Sequence, residues 1–423
     1  MNKEKWLLQE IDQWMAQSMI DAETANALRE RYTGKKNSGM LIILFSIIGS
    51  LLIGTGIILI MARNWYSFPI FLRTALAFFP LIVSQGFAVY VIRRKRNSAA
   101  WCESVAILVT SSVFTAMALV SQIFHISNDY ASYILQCGLL SLPMIYLLDA
   151  SAPLIVYYWT ILNWAGLTHS PLNAILLLVL FALGCGYIYL KRKTVNAKLI
   201  YMTWISLSAG FVAVMIIGAM LDSSLLLLVL CYFVLLLSVE SLPEPVSAAF
   251  QSLGTIGSLV TLAILTYQNM WANVYEVVGA GGAVFAGLML AVALFFVFSN
   301  QEIHKLKKLF ILALSVLCIL RYIWILMELD YDVYPFVFML ISNITLAGCG
   351  VGFIVHGTRH IRLQTTNIGM VILCFLITIR FFDSNMDFLW RGVVFLVLGA
   401  AFLLVNLRLA RIKKQTKDEG VET

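Results

Sequence analysis

Apolar residues along the chain form runs of about 18–25 residues, and short polar stretches separate these runs. As an α-helix, a run of this length crosses the roughly 30 Å of hydrocarbon in a bilayer. The pattern predicts an all-α protein, a polytopic transmembrane helix bundle of about 14 spans. The count falls to about 12 if two adjacent runs do not span. The runs are residues 40–61, 68–92, 102–124, 130–148, 151–168, 171–190, 199–220, 223–240, 246–267, 274–299, 308–327, 335–356, 363–382 and 389–409.

The segment before the first run predicts a small cytoplasmic helical hairpin. Leu7, Ile11 and Trp14 share one face of its first helix, and Asp21 is the expected N-cap of the second. Neither apolar stripe is long enough to stabilise an isolated helix, so the two helices are expected to pack on each other, on the bundle or on the membrane surface. The predicted domains are the hairpin at 1–35, the transmembrane bundle at 40–410 and a basic, polar cytoplasmic tail at 411–423.

Composition supports a membrane protein. The 423 residues are 61% hydrophobic and 12% charged, whereas soluble domains are about 45–50% apolar and about 25% charged. The net charge of +7 reflects topology, because Lys and Arg accumulate in cytoplasmic loops. No basic segment alternates with aromatic residues, so nucleic acid is not an expected partner.

The basic clusters predict how the chain is threaded through the membrane. Each follows an even number of predicted crossings, so all share one side, which the positive-inside rule assigns to the cytoplasm. Both termini are expected there, and the loops "RNWYS", "HISND" and "ELDYDVY" on the far side. The clusters after the first span are residues 93–96, 191–193, 304–308, 359–362 and 411–417.

Arginines inside the predicted spans are the main candidates for a binding site. Arg321 is predicted near the middle of its span, with Glu328 seven residues later on the same face. A membrane-centre arginine costs at least about 2.5–3.5 kcal/mol, so it normally faces the bundle interior. Arg73, Arg380 and Arg391 lie in the outer halves of their spans. Their side chains either snorkel to headgroups or line a basic cavity for a phosphate or carboxylate.

A polar stripe along the third span adds further candidates. Ser111, Thr115, Gln122 and His125 fall within a helix sector of about 80°. They either tie helices together by hydrogen bonds, worth about 0.6–2 kcal/mol each, or form a pocket wall or a proton-sensitive group. Thr115, Gln122 and His125 are therefore grouped with the arginines and Glu328 as candidate substrate-binding residues.

No pattern predicts a catalytic or metal site, and no cofactor is expected. His356 and His360 have the spacing of a metal pair, but they lie in a basic loop and lack a third ligand. The seven cysteines lie in apolar runs without a C-x-x-C pair and are predicted to be small buried side chains. Three glycine groups predict close helix packing: Gly49, Gly54 and Gly56; Gly279, Gly281 and Gly282; and Gly348, Gly350 and Gly352.

Several stretches together resemble a known family. They are "MIDAETANALRE" before the membrane, "ARNWYSFPIFLRTALAF" after the Gly-rich first span, "SQIFHISNDY" after the third and "LLSLPMIYLL" in the fourth. They resemble the bacterial predicted membrane proteins grouped as domain of unknown function 2157. The family motif residues fall on Asn64, Trp65, Gln122 and His125, while Phe124 and Asn128 depart from its pattern. The resemblance covers about the first 150 residues and implies architecture in a bacterial cytoplasmic membrane, not an activity.

Two functions remain open. One is a transporter or flippase for an anionic or lipid-linked substrate that uses the intramembrane arginines. The other is a non-transporting sensor or envelope assembly scaffold, based on the N-terminal hairpin and the short loops. A membrane enzyme has the least support, because no catalytic spacing is present. The expected partners are the bilayer, an anionic or lipid-linked ligand and a protein at the hairpin.

Overall fold

The structure is a computed structural model, and it divides into two compact units, Met1–Ala77 and Phe78–Thr423. The described residues are 10–15, 17, 19–21, 23–25, 28, 52, 63, 65–126, 129–191, 195–272, 279–300, 303, 305–327, 334–359, 363–381, 392–393, 396, 399–400 and 403.

The described part of the chain folds into α-helices and one 3₁₀ turn, Trp65–Ser67, without a strand. The helices are α1 (Ile70–Arg94), α2 (Ala99–Ile123), α3 (Tyr130–Leu148), α4 (Ala152–Leu167), α5 (Pro171–Lys191), α6 (Ala197–Met220), α7 (Leu225–Ser238), α8 (Glu244–Ile264), α9 (Gln268–Ala272), α10 (Ala280–Ser299), α11 (Lys305–Leu326), α12 (Tyr334–Arg359) and α13 (Leu363–Phe381).

The predicted apolar runs from 68–92 to 363–382 each coincide with one of these helices to within a few residues. The runs 40–61 and 389–409 fall mostly outside the described residues. By length and composition, eight described helices can cross a membrane: α1, α2, α3, α5, α6, α8, α10 and α12. The all-helical membrane fold is confirmed, and the count of about 14 spans stays a prediction.

In the first unit, residues 10–15 and 23–25 are helical. Asp21 is the cap that the sequence predicted, because its Oδ1 accepts from Thr24 N at 3.2 Å. Hydrogen bonds from the Thr24 side chain and backbone hold the pKa of Asp21 below its usual value. Ile11 and Ala25 are buried. These features fit two helices with a break near residue 20, while the hairpin as a packed module stays a prediction.

In the second unit, α7 is the central helix. It packs against α6, α8, α10 and α11. Its sequence "LLLLVLCYFVLLLS" is apolar on every face, and burial of most of its residues shows that protein surrounds it. Other helices pack in sequential order, with α2 against α3 and α4, and α12 against α13.

The structure confirms the predicted close packing for some of the glycines. A Cβ on Gly282 would lie 2.4 Å from Ser223 Cβ, and one on Gly279 would lie 2.7 Å from Leu221 O. Gly350 is also close to its neighbour, because a Cβ there would lie 2.7 Å from Leu373 Cδ2. No atom of the described residues lies within 4 Å of a Cβ on Gly348 or Gly352, so close packing stays a prediction for these two glycines. Gly49, Gly54 and Gly56 lie outside the described residues.

Candidate functional site

Two groups of polar side chains lie at opposite ends of the second unit. We define the Glu103 cluster as Glu103, Asp149, Ser151, Tyr187 and Lys198, and the Arg321 cluster as Ser223, Arg321, Tyr322 and Trp324. Lys198 lies in the first turn of α6, whereas Ser223 follows the end of α6. Because α6 has 24 residues, it carries the chain about 36 Å from one end to the other.

Glu103 lies one turn into α2, and its carboxylate caps the start of α4. The backbone N–H groups of Ser151 and Ala152 donate to its oxygens over 2.8–3.0 Å, and the Ser151 hydroxyl donates at 2.9 Å. Ser151 is the N-cap residue of α4, but its own side chain makes no capping bond. The Glu103 carboxylate therefore accepts from N–H groups at the start of α4 that have no partner within the helix.

Lys198 and Tyr187 complete this cluster from α6 and α5. Lys198 Nζ lies 2.8 Å from Glu103 Oε1 and also donates to Asp149 O. The Tyr187 hydroxyl donates to Asp149 Oδ1. Asp149 follows α3 with a φ of 56°, a left-handed conformation that Asp adopts more readily than most residues. The ends of α2 to α6 are thus joined at one place.

A second ion pair lies at the same end of the unit. Glu240, in the turn between α7 and α8, pairs with Lys307 in the first turn of α11. The chain leaves Ser223 at one end and reaches Glu240 at the other through α7. Both ion pairs therefore join helix ends that the sequence predicts to share one side of the membrane.

Arg321 is buried, with 3% of its surface exposed. It lies five residues before the last residue of α11, which is about 8 Å from that helix end. This is nearer the end than the sequence predicted, because α11 begins at Lys305 and its middle falls earlier. Tyr322 Oη lies 3.4 Å from Ser223 Oγ, so Arg321 is level with the turn between α6 and α7.

The backbone around Ser223 is held in place by α10. Asp222 has a φ of 48°, and its carbonyl accepts from Gly279 N at 2.9 Å. Gly282 lies so close to Ser223 that a Cβ would overlap it. Since the turn is positioned by backbone contacts, the Ser223 hydroxyl has little freedom to leave Tyr322.

Trp324 lies one turn beyond Arg321 on α11. Its Nε1 is buried, and no hydrogen-bond acceptor for it occurs among the described residues. Its ring packs edge-on against Phe338 at 5.9 Å, and Phe338 packs against the fully buried Trp271 at 5.1 Å. The Arg321 cluster thus places a buried guanidinium one helical turn from a buried indole N–H, and both are donor types that bind anionic groups.

The polar stripe on α2 lies apart from Arg321. The helix α2 packs against α3 and α4, whereas α11 packs against α7, α10 and α12. Thr115 is exposed and donates to Ser111 O at 2.9 Å, and Gln122 and His125 are exposed. Asn343, on α12, donates from Nδ2 to Met339 O at 2.7 Å and to Thr266 O at 3.2 Å.

The structure describes only some of the remaining predicted site residues. In the first unit, Arg73 Nε donates to Phe68 O at 3.0 Å, and Trp65 Nε1 is buried without an acceptor among the described residues. The structure does not describe Glu328, Arg391 and Asn64, nor the side chain of Arg380.

The metal-ligating side chains and the cysteines of the described residues do not add a candidate site. Among the described residues, no group of three His, Cys, Asp or Glu side chains could hold a metal ion. The cysteines are free thiols, and most are buried as predicted, but Cys374 is exposed. Cys231 and Cys318 lie in contact between α7 and α11.

Sequence analysis did not identify the Glu103 cluster. Its only sign is an isolated acid in "WCESVAILV" and an isolated base in "NAKLIYM", each in a run that is otherwise apolar. A lone charge near a helix end is ordinarily solvated, so neither residue predicts its partner 95 positions away.

The fold and its apolar helices define a multi-pass helical membrane protein. Residues 12–154 match the model of a family described as predicted membrane protein (DUF2157). This match confirms the resemblance that the N-terminal motifs carry. No curated protein and no solved structure matches the chain.

Proposed function

We propose that the protein binds an anionic group at the Arg321 cluster and acts as a transporter or flippase for an anionic or lipid-linked substrate. The observation that carries this proposal is a buried arginine beside a buried indole N–H that has no acceptor among the described residues. A phosphate or carboxylate would supply an acceptor for this indole N–H, and it is also a group that a guanidinium binds. Guanidinium is the cation best suited to phosphate, because its fork binds two oxygens at once.

The position of the Arg321 cluster on α11 supports binding of a ligand within the membrane. Helix α11 carries its lysines at the opposite end from Arg321, so this guanidinium is a charge on an otherwise apolar stretch. Burying a cation is costly, and such residues usually serve function when they are retained within a span. Glu328, Arg380 and Arg391 stay candidates for lining the same path, and Arg73, in the first unit, stays a separate candidate.

Arg321→Ala is expected to abolish the thermal stabilisation by a polyprenyl phosphate, measured on the full chain in detergent. Arg321→Lys should restore only part of it, because the planar fork is lost. Trp324→Phe removes one N–H while the ring remains, and should weaken binding by about 10- to 100-fold, as expected for one hydrogen bond to a charged group. Lys305→Gln, at the other end of α11, is the matched control and should bind normally.

The same variants separate function from structure. If Arg321 only stabilises the bundle, both Arg321 substitutions will reduce folded yield and the phosphate will stabilise no variant, the native chain included. Transport is then tested by following a labelled polyprenyl phosphate across proteoliposomes. Binding without movement across the bilayer would refute transport and leave a receptor.

A non-transporting sensor or assembly scaffold is the second candidate. The Glu103 cluster favours it, since it ties the ends of five consecutive helices at one place and so limits their relative motion. Alternating access requires parts of a bundle to move against each other. A scaffold would show partner capture through the residues 1–35 hairpin and no change in lipid distribution.

The proposed location is the bacterial cytoplasmic membrane with both termini in the cytoplasm. The basic clusters on one side of the predicted topology support this orientation. In a cysteine-free background, a cysteine at position 94 should resist an impermeant thiol reagent added from outside, while one at position 169 should react. Labelling of position 94 from outside would contradict the orientation.

A further inference from the structure

The turn between α1 and α2 carries four consecutive basic residues, Arg93, Arg94, Lys95 and Arg96, which we call the basic turn. All four are exposed. With residues 97 and 98 they line an open concave surface of about 460 Å³. This volume lies in the range of about 300–1,000 Å³ that small-molecule sites occupy.

The backbone of the basic turn is well defined by its own hydrogen bonds. Lys95 N donates to Val91 O at 2.8 Å, and Ser98 N donates to Lys95 O at 2.9 Å. The Cys102 thiol donates to Arg96 O at 3.4 Å from one turn into α2. The four cations are therefore presented from a fixed turn, which lowers the entropic cost of binding.

The described acids form no ion pair with the basic turn. The nearest acid on α2 is Glu103, whose carboxylate is taken up by Ser151, Ala152 and Lys198. Within the described part of the chain, none of the four basic side chains forms an ion pair, whereas Lys198 and Lys307 at the same end do. The four positive charges of the basic turn are thus available to bind an external anion.

The position of the basic turn indicates which anion that is. It ends α1, a helix long and apolar enough to cross a membrane, so it lies at the level of lipid headgroups. Phe87 and Tyr90 are exposed on the preceding turns of α1, and Trp101 is exposed on α2. Apolar and aromatic surface next to basic residues suits acyl chains below a charged headgroup.

We propose that the basic turn is a binding site for the phosphate of an anionic phospholipid, whose acyl chains lie along the exposed face of α1. The site is separate from the Arg321 cluster and does not depend on transport. Arg93, Arg94 and Arg96 supply forked donors for phosphate oxygens, and Lys95 supplies a point charge.

Lipid retention tests this site. The full chain, purified in detergent, is mixed with phosphatidylglycerol or phosphatidylcholine, and bound lipid is counted by native mass spectrometry. The native chain should retain phosphatidylglycerol selectively. Arg94→Gln with Arg96→Gln should weaken that retention by about 30-fold, because each basic residue contributes roughly one factor of five at a membrane surface.

The matched control removes two charges elsewhere at the same end. Lys305 and Lys308 do not line the concave surface, and Lys308 Nζ lies over the Phe298 ring at 5.1 Å. Lys305→Gln with Lys308→Gln should weaken retention by less than about threefold. If the Arg94 and Arg96 pair does not fold, Arg93→Gln with Lys95→Gln replaces it.

Two results would overturn the proposal. Equal losses in the two double variants would mean that total charge, not the basic turn, retains the lipid. Displacement of phosphatidylglycerol by inorganic phosphate at the same concentration would mean that the turn binds free anions and not a lipid.

Discussion

Glu103→Ala is expected to lower the free energy of unfolding by about 2–4 kcal/mol. The substitution leaves the N–H groups of Ser151 and Ala152 without their acceptor and the Lys198 ammonium without its counter-ion. The full cost of breaking a buried ion pair is about 3–5 kcal/mol. The expected loss is smaller because the Glu103 and Lys198 side chains keep 26% and 22% of their surface exposed.

Unfolding in mixed micelles, followed by circular dichroism, measures this loss. Glu103→Gln should lose about half as much, since an amide oxygen still accepts from the start of α4 but carries no charge. Glu244→Ala is the matched control, because Glu244 is an exposed acid in the first turn of α8. It should change stability by no more than about 1 kcal/mol.

A double-mutant cycle with Lys198→Ala tests the pairing itself. Coupling between the two sites of about 0.5–3 kcal/mol is expected for groups in direct contact. Additive effects would show that the ion pair contributes nothing and that Glu103 acts only as the cap of α4.

Gly369→Ala is expected to destabilise the contact between α12 and α13 by about 1–3 kcal/mol. A Cβ at position 369 would lie 2.6 Å from Gly350 O and 2.8 Å from Ile354 N. Both atoms belong to the backbone of α12, so no side-chain rotation relieves the overlap and the helices must separate.

Gly352→Ala on α12 provides the matched control. Among the described residues, no atom lies within 4 Å of a Cβ at position 352. Alanine also has the higher helix propensity, so this variant should be unchanged or more stable by up to about 1 kcal/mol. Unfolding curves of both variants in the same micelles give the comparison, and equal stability would refute the close approach of α12 and α13.

Both predictions bear on the choice between the two functions. The Glu103 cluster limits motion at one end, and the Gly350 and Gly369 contact holds two helices close together. A transporter must keep at least one interface that can open. If Glu103→Ala raised the rate of lipid movement while lowering stability, the cluster would restrain a conformational change and not merely hold a scaffold together.

The apolar runs by themselves determined the helical class of the protein and the bounds of its helices. Even the two helices separated only by "DAS" were predicted to within a residue, as α3 and α4. The physical reason is that a chain in hydrocarbon must satisfy every backbone hydrogen bond internally, so an apolar run of sufficient length forms a helix. The N-cap at Asp21 could also be predicted from the sequence, because it depends on neighbouring residues alone.

Only the tertiary structure decided which helix faces meet. It paired Glu103 with Lys198, placed Ser223 against Tyr322 and left Gln122 and His125 away from Arg321. Lipid and protein interior are both apolar, so spans such as α7 and α10 carry hydrophobic residues on all faces and give no sign of which face packs. For the same reason, Gly350 and Gly352 look alike in the sequence, and only the approach of α13 distinguishes them.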